Sequence, residues 1–447
     1  ARVVISVPGA PRVKSWRFEA GSHVWGYQPG MSVWSSPAVG LVKGRATLFV
    51  GSYDKNIYSL DAVTGEKLWR FTTGGGVYSA PALWRGDGES GPILYAASSD
   101  RLLYALDADL GRRRWIHTIK TWRPTMGGAR LSAPCVGRAG HKPAVFVGHW
   151  VWDKSLSGHM QAAGLSAVDA LTGEGLWRTD LGDNRVYSPV CVQVGGAWRV
   201  IVGSENGNLY ALSAETGQVL WSYTDREAVM STPAVWTDSA GGAAGSRVYF
   251  GSKYGRVRCL DAGTGKEIWR FTTSHWVDGS PLLTHAADGR PLVLVGSYDT
   301  RFYALDGLTG AEVWNHRVAG GIYSGAALAL AGGRARIVFA AWDHHLHCLN
   351  LEDGSLAWSA YTGRPLWDSL TLGESAWSSP AVAEINGQAV AYVGSYAGPF
   401  HAVLLAEAEG EALARPGSNL RFWVTLPLVM LATALLALWL TWRARRG

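Results

Sequence analysis

Asp343-His344-His345-Leu346-His347 is the densest run of metal-ligating side chains in this 447-residue chain. Imidazole is a common transition-metal ligand. His345 and His347 alternate onto one face of an extended segment, so with Asp343 they form a candidate metal site. His149 and His159 bracket a second stretch where imidazole could act. One carboxylate, Asp278, is a candidate general base, picked out by its position in the repeat described next. Cysteine chemistry has four carriers, Cys135, Cys191, Cys259 and Cys348, none adjacent to another. There is no P-loop, no nucleophile elbow and no His-Glu-x-x-His motif.

The elements that must position these groups recur along the chain. Trp16, Trp69, Trp115, Trp177, Trp221, Trp269, Trp314 and Trp358 are spaced by 53, 46, 62, 44, 48, 45 and 44 residues. Periods of this size mark small units, each too small to bury a core alone. Leu48 to Trp69 and Val293 to Trp314 are two copies of one phrase. Residues 47–51 read as a strand, Asp54-Lys55-Asn56 as a turn, Ile57 to Leu60 as the return strand, Asp61 to Gly65 as a second turn, and Leu68 to Phe71 as an outer strand. A fourth strand precedes the phrase at Ser36-Pro-Ala-Val39, Ala80-Pro-Ala-Leu83, Thr232-Pro-Ala-Val235 and Ser379-Pro-Ala-Val382. Four antiparallel strands per repeat with periodic Gly and aromatic residues predict an all-β fold, an eight-bladed β-propeller. Within this frame Asp343-His344-His345 aligns with the turn Asp54-Lys55-Asn56, so a solvated turn competes with the metal reading.

The last copy, Trp377 to Tyr396, lacks the second turn and a following Trp. Lys14-Ser-Trp16-Arg-Phe18 resembles Leu68-Trp69-Arg-Phe71, so residues 14–18 are expected to complete blade eight and remove an exposed sheet edge. The propeller is then 1–405, followed by a linker over 406–421. The stretch 422–442 is free of charge and long enough to cross a bilayer as a helix. Trp423, Trp439 and Trp442 suit interface anchors, and Arg443, Arg445 and Arg446 in the 443–447 tail are expected to stay cytoplasmic. This puts the propeller in the periplasm, on a single-pass anchor in the inner membrane. The start, Ala1-Arg-Val-Val-Ile-Ser, reads as a mature N-terminus left by signal-peptide removal. Four of the six net positive charges lie in residues 421–447, and no basic run interleaved with aromatics occurs in the propeller, so nucleic acid is not an expected partner.

The residues entering each inner strand align as Trp34, Tyr78, Leu131, Tyr187, Met230, Asp278, Tyr323 and Trp377. Long loops on the same face, at 17–34, 116–131, 149–165 and 359–377, are Trp-rich. Trp25, Trp34, Trp122, Trp150, Trp152, Trp367 and Trp377 are expected to bind a partner or to plug the channel and its mouth. Cys259 and Cys348 occupy a slot held by Ser59 and Ala105 elsewhere and read as small buried residues, whereas Cys135 and Cys191 share a slot on neighbouring blades, either as a disulfide or as buried thiols.

Ala304 to Trp314, with the pattern Ala-x-Asp-x-x-Thr-Gly-x-x-x-Trp, carries a resemblance to the quinoprotein-type propellers, spanning residues 14–405. That resemblance implies a top-face Asp as base, for which Asp278 is the match, together with a calcium-held quinone. The adjacent Cys-Cys pair of the dehydrogenases is missing here, and the chain has no recognisable calcium loop such as Asp-x-Asp-x-Asp-Gly. The chain is also similar to the propeller lipoprotein of the outer-membrane assembly machinery. The expectation is therefore a scaffold or accessory subunit of a membrane protein complex that is not an enzyme and carries no cofactor, with a quinoprotein dehydrogenase as the alternative.

Overall fold

The computed structural model describes residues 33–405 apart from 34, 87–90, 120–128, 153–159, 183, 238–244, 332, 362–377, 386–387 and 395–399, together with 3–5 and 23–27. Among these residues the chain forms eight sheets. The first blade shows the rule. Ala38–Val42, Arg45–Gly51, Asn56–Asp61 and Lys67–Thr72 pair in sequence order, each antiparallel to the next. Asp61 makes the second turn as its chemistry requires: its Oδ1 accepts the backbone N–H groups of Val63 and Thr64, each at 2.8 Å. The middle strands carry the apolar load, with Leu48, Phe49, Val50, Ile57 and Leu60 wholly buried.

No blade completes a core alone. Phe49 and Ile57 of blade one cluster with Leu94, Ala96 and Tyr104 of blade two, and equivalent clusters join later pairs. The outer-strand tryptophans lock the same seams. Trp69 Nε1 donates to the Ala108 carbonyl of the next blade at 3.0 Å, Trp115 to Ala170 at 3.0 Å, Trp177 to Ala214 at 2.8 Å and Trp314 to Leu351 at 3.1 Å. Each indole thus buries a large ring while its one polar atom stays satisfied.

Blade eight is closed by the chain start, through a different segment from the one expected. Ala381–Ile385, Gln388–Val393 and Phe400–Leu404 are followed on the outside by His23–Tyr27. Residues 14–18 lie outside the described residues. The register is informative: Trp25 stands opposite Ala402, with a shift before it, as Trp69 stands opposite Ser59, Trp115 opposite Ala105 and Trp314 opposite Ala304. Trp25 therefore holds the docking-tryptophan position of blade eight. Val3–Ile5 adds a parallel strand to Ala381–Ile385.

Blade three departs from the others. Lys142–Trp152 and Met160–Asp169 stay paired as far as Trp152 opposite Met160, and Ala129–Leu131 pairs with Val151 to His149. Much of the insert read as a loop is thus an extended hairpin, consistent with the β-prone run Val147 to Trp152. Among the described residues no helix is long and apolar enough to cross a membrane. The expected linker, membrane helix and tail, 406–447, lie outside the described residues.

Candidate functional site

The alignment of strand-entry residues becomes a place. Tyr78, Leu131, Tyr187, Met230, Asp278 and Tyr323, from blades two to seven, line one cavity of about 320 Å³. Trp34 and Trp377, from blades one and eight, lie outside the described residues. Hydroxyls before the inner-strand prolines stitch the wall. Ser36 Oγ accepts the Ser379 N–H at 2.7 Å, Ser379 Oγ the Gly325 N–H at 2.9 Å, Ser280 Oγ the Thr232 N–H at 3.0 Å and Ser188 Oγ the Ala133 N–H at 3.3 Å. Each bond crosses from one blade to its neighbour, so the cavity is framed by backbone held on two sides.

Two charged side chains lie among the described lining residues, Asp278 and Arg130. Asp278 is 8% exposed, and its Oδ1 has no hydrogen-bond partner among the described residues. Burial pushes its pKa up to about 6, against the opposing pull of the Lys253 ammonium. The Arg130 guanidinium sits 5.0 Å over the Tyr78 ring. Burial lowers its pKa, and Arg185 lowers it further. Buried polar atoms are rarely left unpaired, so Asp278 marks the mouth as a place prepared for a donor.

Aromatic rings continue from the cavity to the surface. Tyr323 lies 4.8 Å from Trp342 and 4.7 Å from Tyr298, which stacks at 5.8 Å on Trp276. Trp276 is 39% exposed, with the Lys253 ammonium 4.9 Å over its ring. Tyr298 and Trp342 escaped the strand-entry alignment because they sit in the turns between middle strands. The recurrence of Gly-Ser-Tyr-Asp at Tyr53 and Tyr298 was the available signal.

Of the proposed partner-binding tryptophans, Trp150 lines the cavity and Trp25 stands in the docking register. Trp152 ends a strand opposite Met160. Trp34, Trp122, Trp367 and Trp377 lie outside the described residues. Asp343, His345 and His347 assemble as a turn. Asp343 Oδ1 accepts the His345 N–H at 3.1 Å, its Oδ2 accepts the Ala319 N–H at 3.2 Å, and His347 Nε2 lies 3.0 Å from Oδ2. The same bond joins Asp54 to Tyr58 and Asp299 to Tyr303, with phenol in place of imidazole. Among the described residues no group of three His, Cys, Asp or Glu could hold a metal ion. His149 is wholly buried on blade three, and His159 lies outside the described residues. All four cysteines are thiols, and burial raises the pKa of both Cys135 and Cys191.

The sequence matches the family described as outer membrane protein assembly factor BamB over residues 12–139, 161–240 and 234–411. Among solved structures it is similar to BamB from Moraxella catarrhalis, at 16% identity over 87% of this chain and 99% of that one, with a TM-score of 0.55. It is also similar to the quinohemoprotein alcohol dehydrogenase ADHIIG from Pseudomonas putida HK5, at 14% identity over 88% of this chain and 78% of that one, with a TM-score of 0.62. Both likenesses speak for the fold alone. Among curated proteins it is similar to the quinoprotein alcohol dehydrogenase PedE of Pseudomonas putida, 38% identical over 69 residues. That match spans 15% of this chain and 10% of the relative's length.

These relatives overturn the expectation that the chain is not an enzyme: the curated proteins it matches are named as dehydrogenases. The name quinoprotein raises a fit question for the mouth. Pyrroloquinoline quinone is a flat tricarboxylate, whereas the described lining offers one guanidinium, Arg130, and sets the carboxyl of Asp278 against the same charge. The described residues do not fit that group.

Proposed function

We propose, on the premise that this chain belongs to the family of outer membrane protein assembly factor BamB, that it is a protein-binding scaffold or accessory subunit of a membrane protein complex. The observation that carries this reading is the family match, which runs through nearly the whole propeller. The propeller faces the periplasm on a single membrane helix over 422–442, and the aromatic mouth is its partner surface. Two features support this use. Trp150, Tyr187 and Tyr323 gather large rings at one opening, the residue types that dominate binding surfaces. The blade-to-blade bonds of Ser36, Ser188, Ser280 and Ser379 hold that opening rigid, which lowers the entropy cost of association.

Purification of the full chain in mild detergent tests the reading. A partner is expected to co-elute in fixed ratio and to be lost from Trp150→Ala while the variant keeps its melting transition. Retention of the same partner by Trp150→Ala, or no partner at all, sinks it. The dehydrogenase names favour a second reading, in which Asp278 serves as general base, its pKa near neutrality and its Oδ1 unpartnered among the described residues. Dye-linked oxidation of an alcohol, abolished by Asp278→Asn, is the outcome that reading requires, with a two-electron acceptor other than the quinone that the described lining does not fit.

A further inference from the structure

We propose that the mouth cavity binds a small organic cation, a primary ammonium on an apolar stem, with the ammonium donating to the carboxylate of Asp278. The inference goes beyond the scaffold reading and does not rest on it.

Asp278 leads into Leu282–His285 of blade six and lines the cavity. It is 8% exposed, and its Oδ1 has no hydrogen-bond partner among the described residues. The equivalent positions of blades two to five and seven hold Tyr78, Leu131, Tyr187, Met230 and Tyr323, none charged at neutral pH. The repeat therefore builds this corner of the wall without an acid, and a buried carboxylate lacking a donor costs free energy. The charge of Lys253 reaches Asp278, but its ammonium stands 4.9 Å over the Trp276 ring and makes no hydrogen bond to Oδ1.

The chemistry of the missing partner follows from that carboxylate. It must donate, and it is held best if it also carries positive charge, because charge-assisted hydrogen bonds are the strong ones. A primary ammonium does both. A hard metal ion takes several oxygen ligands, whereas Asp278 is the one acid among the described lining residues.

The remaining wall sets the stem. Trp150, Tyr187, Met230 and Tyr323 line a space of about 320 Å³. Aromatic rings attract a cation, and an apolar body gains by leaving water for such a wall. The volume is near the lower end for small-ligand pockets, which limits that body to about one ring. Arg130, the positive group of the lining, belongs to blade three and has its guanidinium 5.0 Å over the Tyr78 ring. The wall itself engages it, so the ligand needs no anionic end.

A set of matched probes separates these requirements. The full chain in mild detergent is titrated by calorimetry at pH 8 with 2-phenylethylamine. The controls are 2-phenylethanol, which has the shape without the charge, and 3-phenylpropanoate, which has the opposite charge. Ethylamine lacks the body, and trimethyl-(2-phenylethyl)ammonium keeps the charge without an N–H. The primary amine is expected to bind with a Kd of about 1 mM or tighter, and each control about tenfold or more weakly. Asp278→Asn is expected to lose about tenfold in affinity for the amine. The proposal is overturned if the amine binds no tighter than about 10 mM, if any control binds as well, or if folded Asp278→Asn binds it undiminished. The probe series on the unaltered protein decides the matter even where the variant fails to fold.

Discussion

The indole of Trp69 lies flat against Gly111 of the following blade, where a Cβ would stand 2.7 Å from the ring atoms Cδ2 and Cε3. Gly111 also holds φ at +65°, a left-handed conformation that favours glycine. Trp115 meets Gly173, Trp221 meets Gly265 and Trp314 meets Gly354 in the same way. The Thr-Gly turn of one repeat is thus the seat for the tryptophan of the repeat before it. That explains why the two occur at one period.

Gly111→Ala is expected to cost about 2–4 kcal/mol, combining left-handed strain with overpacking against the Trp69 indole. Gly44 provides the control. It has φ at +79° with nothing within 4 Å of an added Cβ, so Gly44→Ala carries the strain alone, about 1 kcal/mol. Denaturant midpoints of the two variants measure the difference. Equal losses would show that the indole contact contributes nothing.

Closure of the ring gives a second prediction. Trp25→Ala is expected to cost as much as Trp69→Ala, about 3 kcal/mol for truncating a large aromatic side chain, because both occupy one register position. Thermal melts of the two variants check it. A Trp25→Ala protein that melts like the intact chain removes Trp25 from the docking set.

The closing strand also shows where sequence reasoning stops. The blades were legible because Trp, Thr-Gly and Asp recur at one period and each has a local turn or packing reason. The strand-entry alignment was legible too, and it brought Tyr78, Asp278 and Tyr323 to one cavity. The eighth outer strand was not. Lys14 to Phe18 imitates Leu68 to Phe71 more closely than His23 to Tyr27 does, yet register is set by pairing with Phe400–Leu404, far away in the chain. Nothing near residue 25 records that pairing. That Arg130 and Asp278 line one cavity was hidden for the same reason, since ring closure rather than sequence spacing brings them there.

His149 sets an acid limit on stability. It is wholly buried, and burial, with the Arg178 charge second, lowers its pKa from 6.5 to about 3. Between those values the unfolded chain binds a proton that the folded chain refuses, so stability falls as pH drops through this window, by about 1.4 kcal/mol per pH unit at most. Urea unfolding of the intact protein and of His149→Gln between pH 7.5 and 4.5 tests this. The variant is expected to lose less stability across the range. Parallel losses would place the acid sensitivity elsewhere.

Asp278 carries the opposite sign. Its folded pKa is raised to about 6 from 3.8 by burial, with Lys253 pulling it down and Tyr323 close enough to feel its charge. Above pH 6 the folded protein must hold a charge that burial disfavours, so this group lowers stability as pH rises from about 4 to 6 and keeps it lowered at neutrality. Asp278→Asn is therefore expected to stabilise the propeller by about 1–3 kcal/mol at pH 8, with little effect at pH 4. A residue that destabilises its own fold while losing binding or turnover when replaced is held for its chemistry. Thermal melts of both proteins at the two pH values measure the effect. Loss of stability at pH 8 on removing the carboxylate would mean that Asp278 is a structural partner in the wall instead.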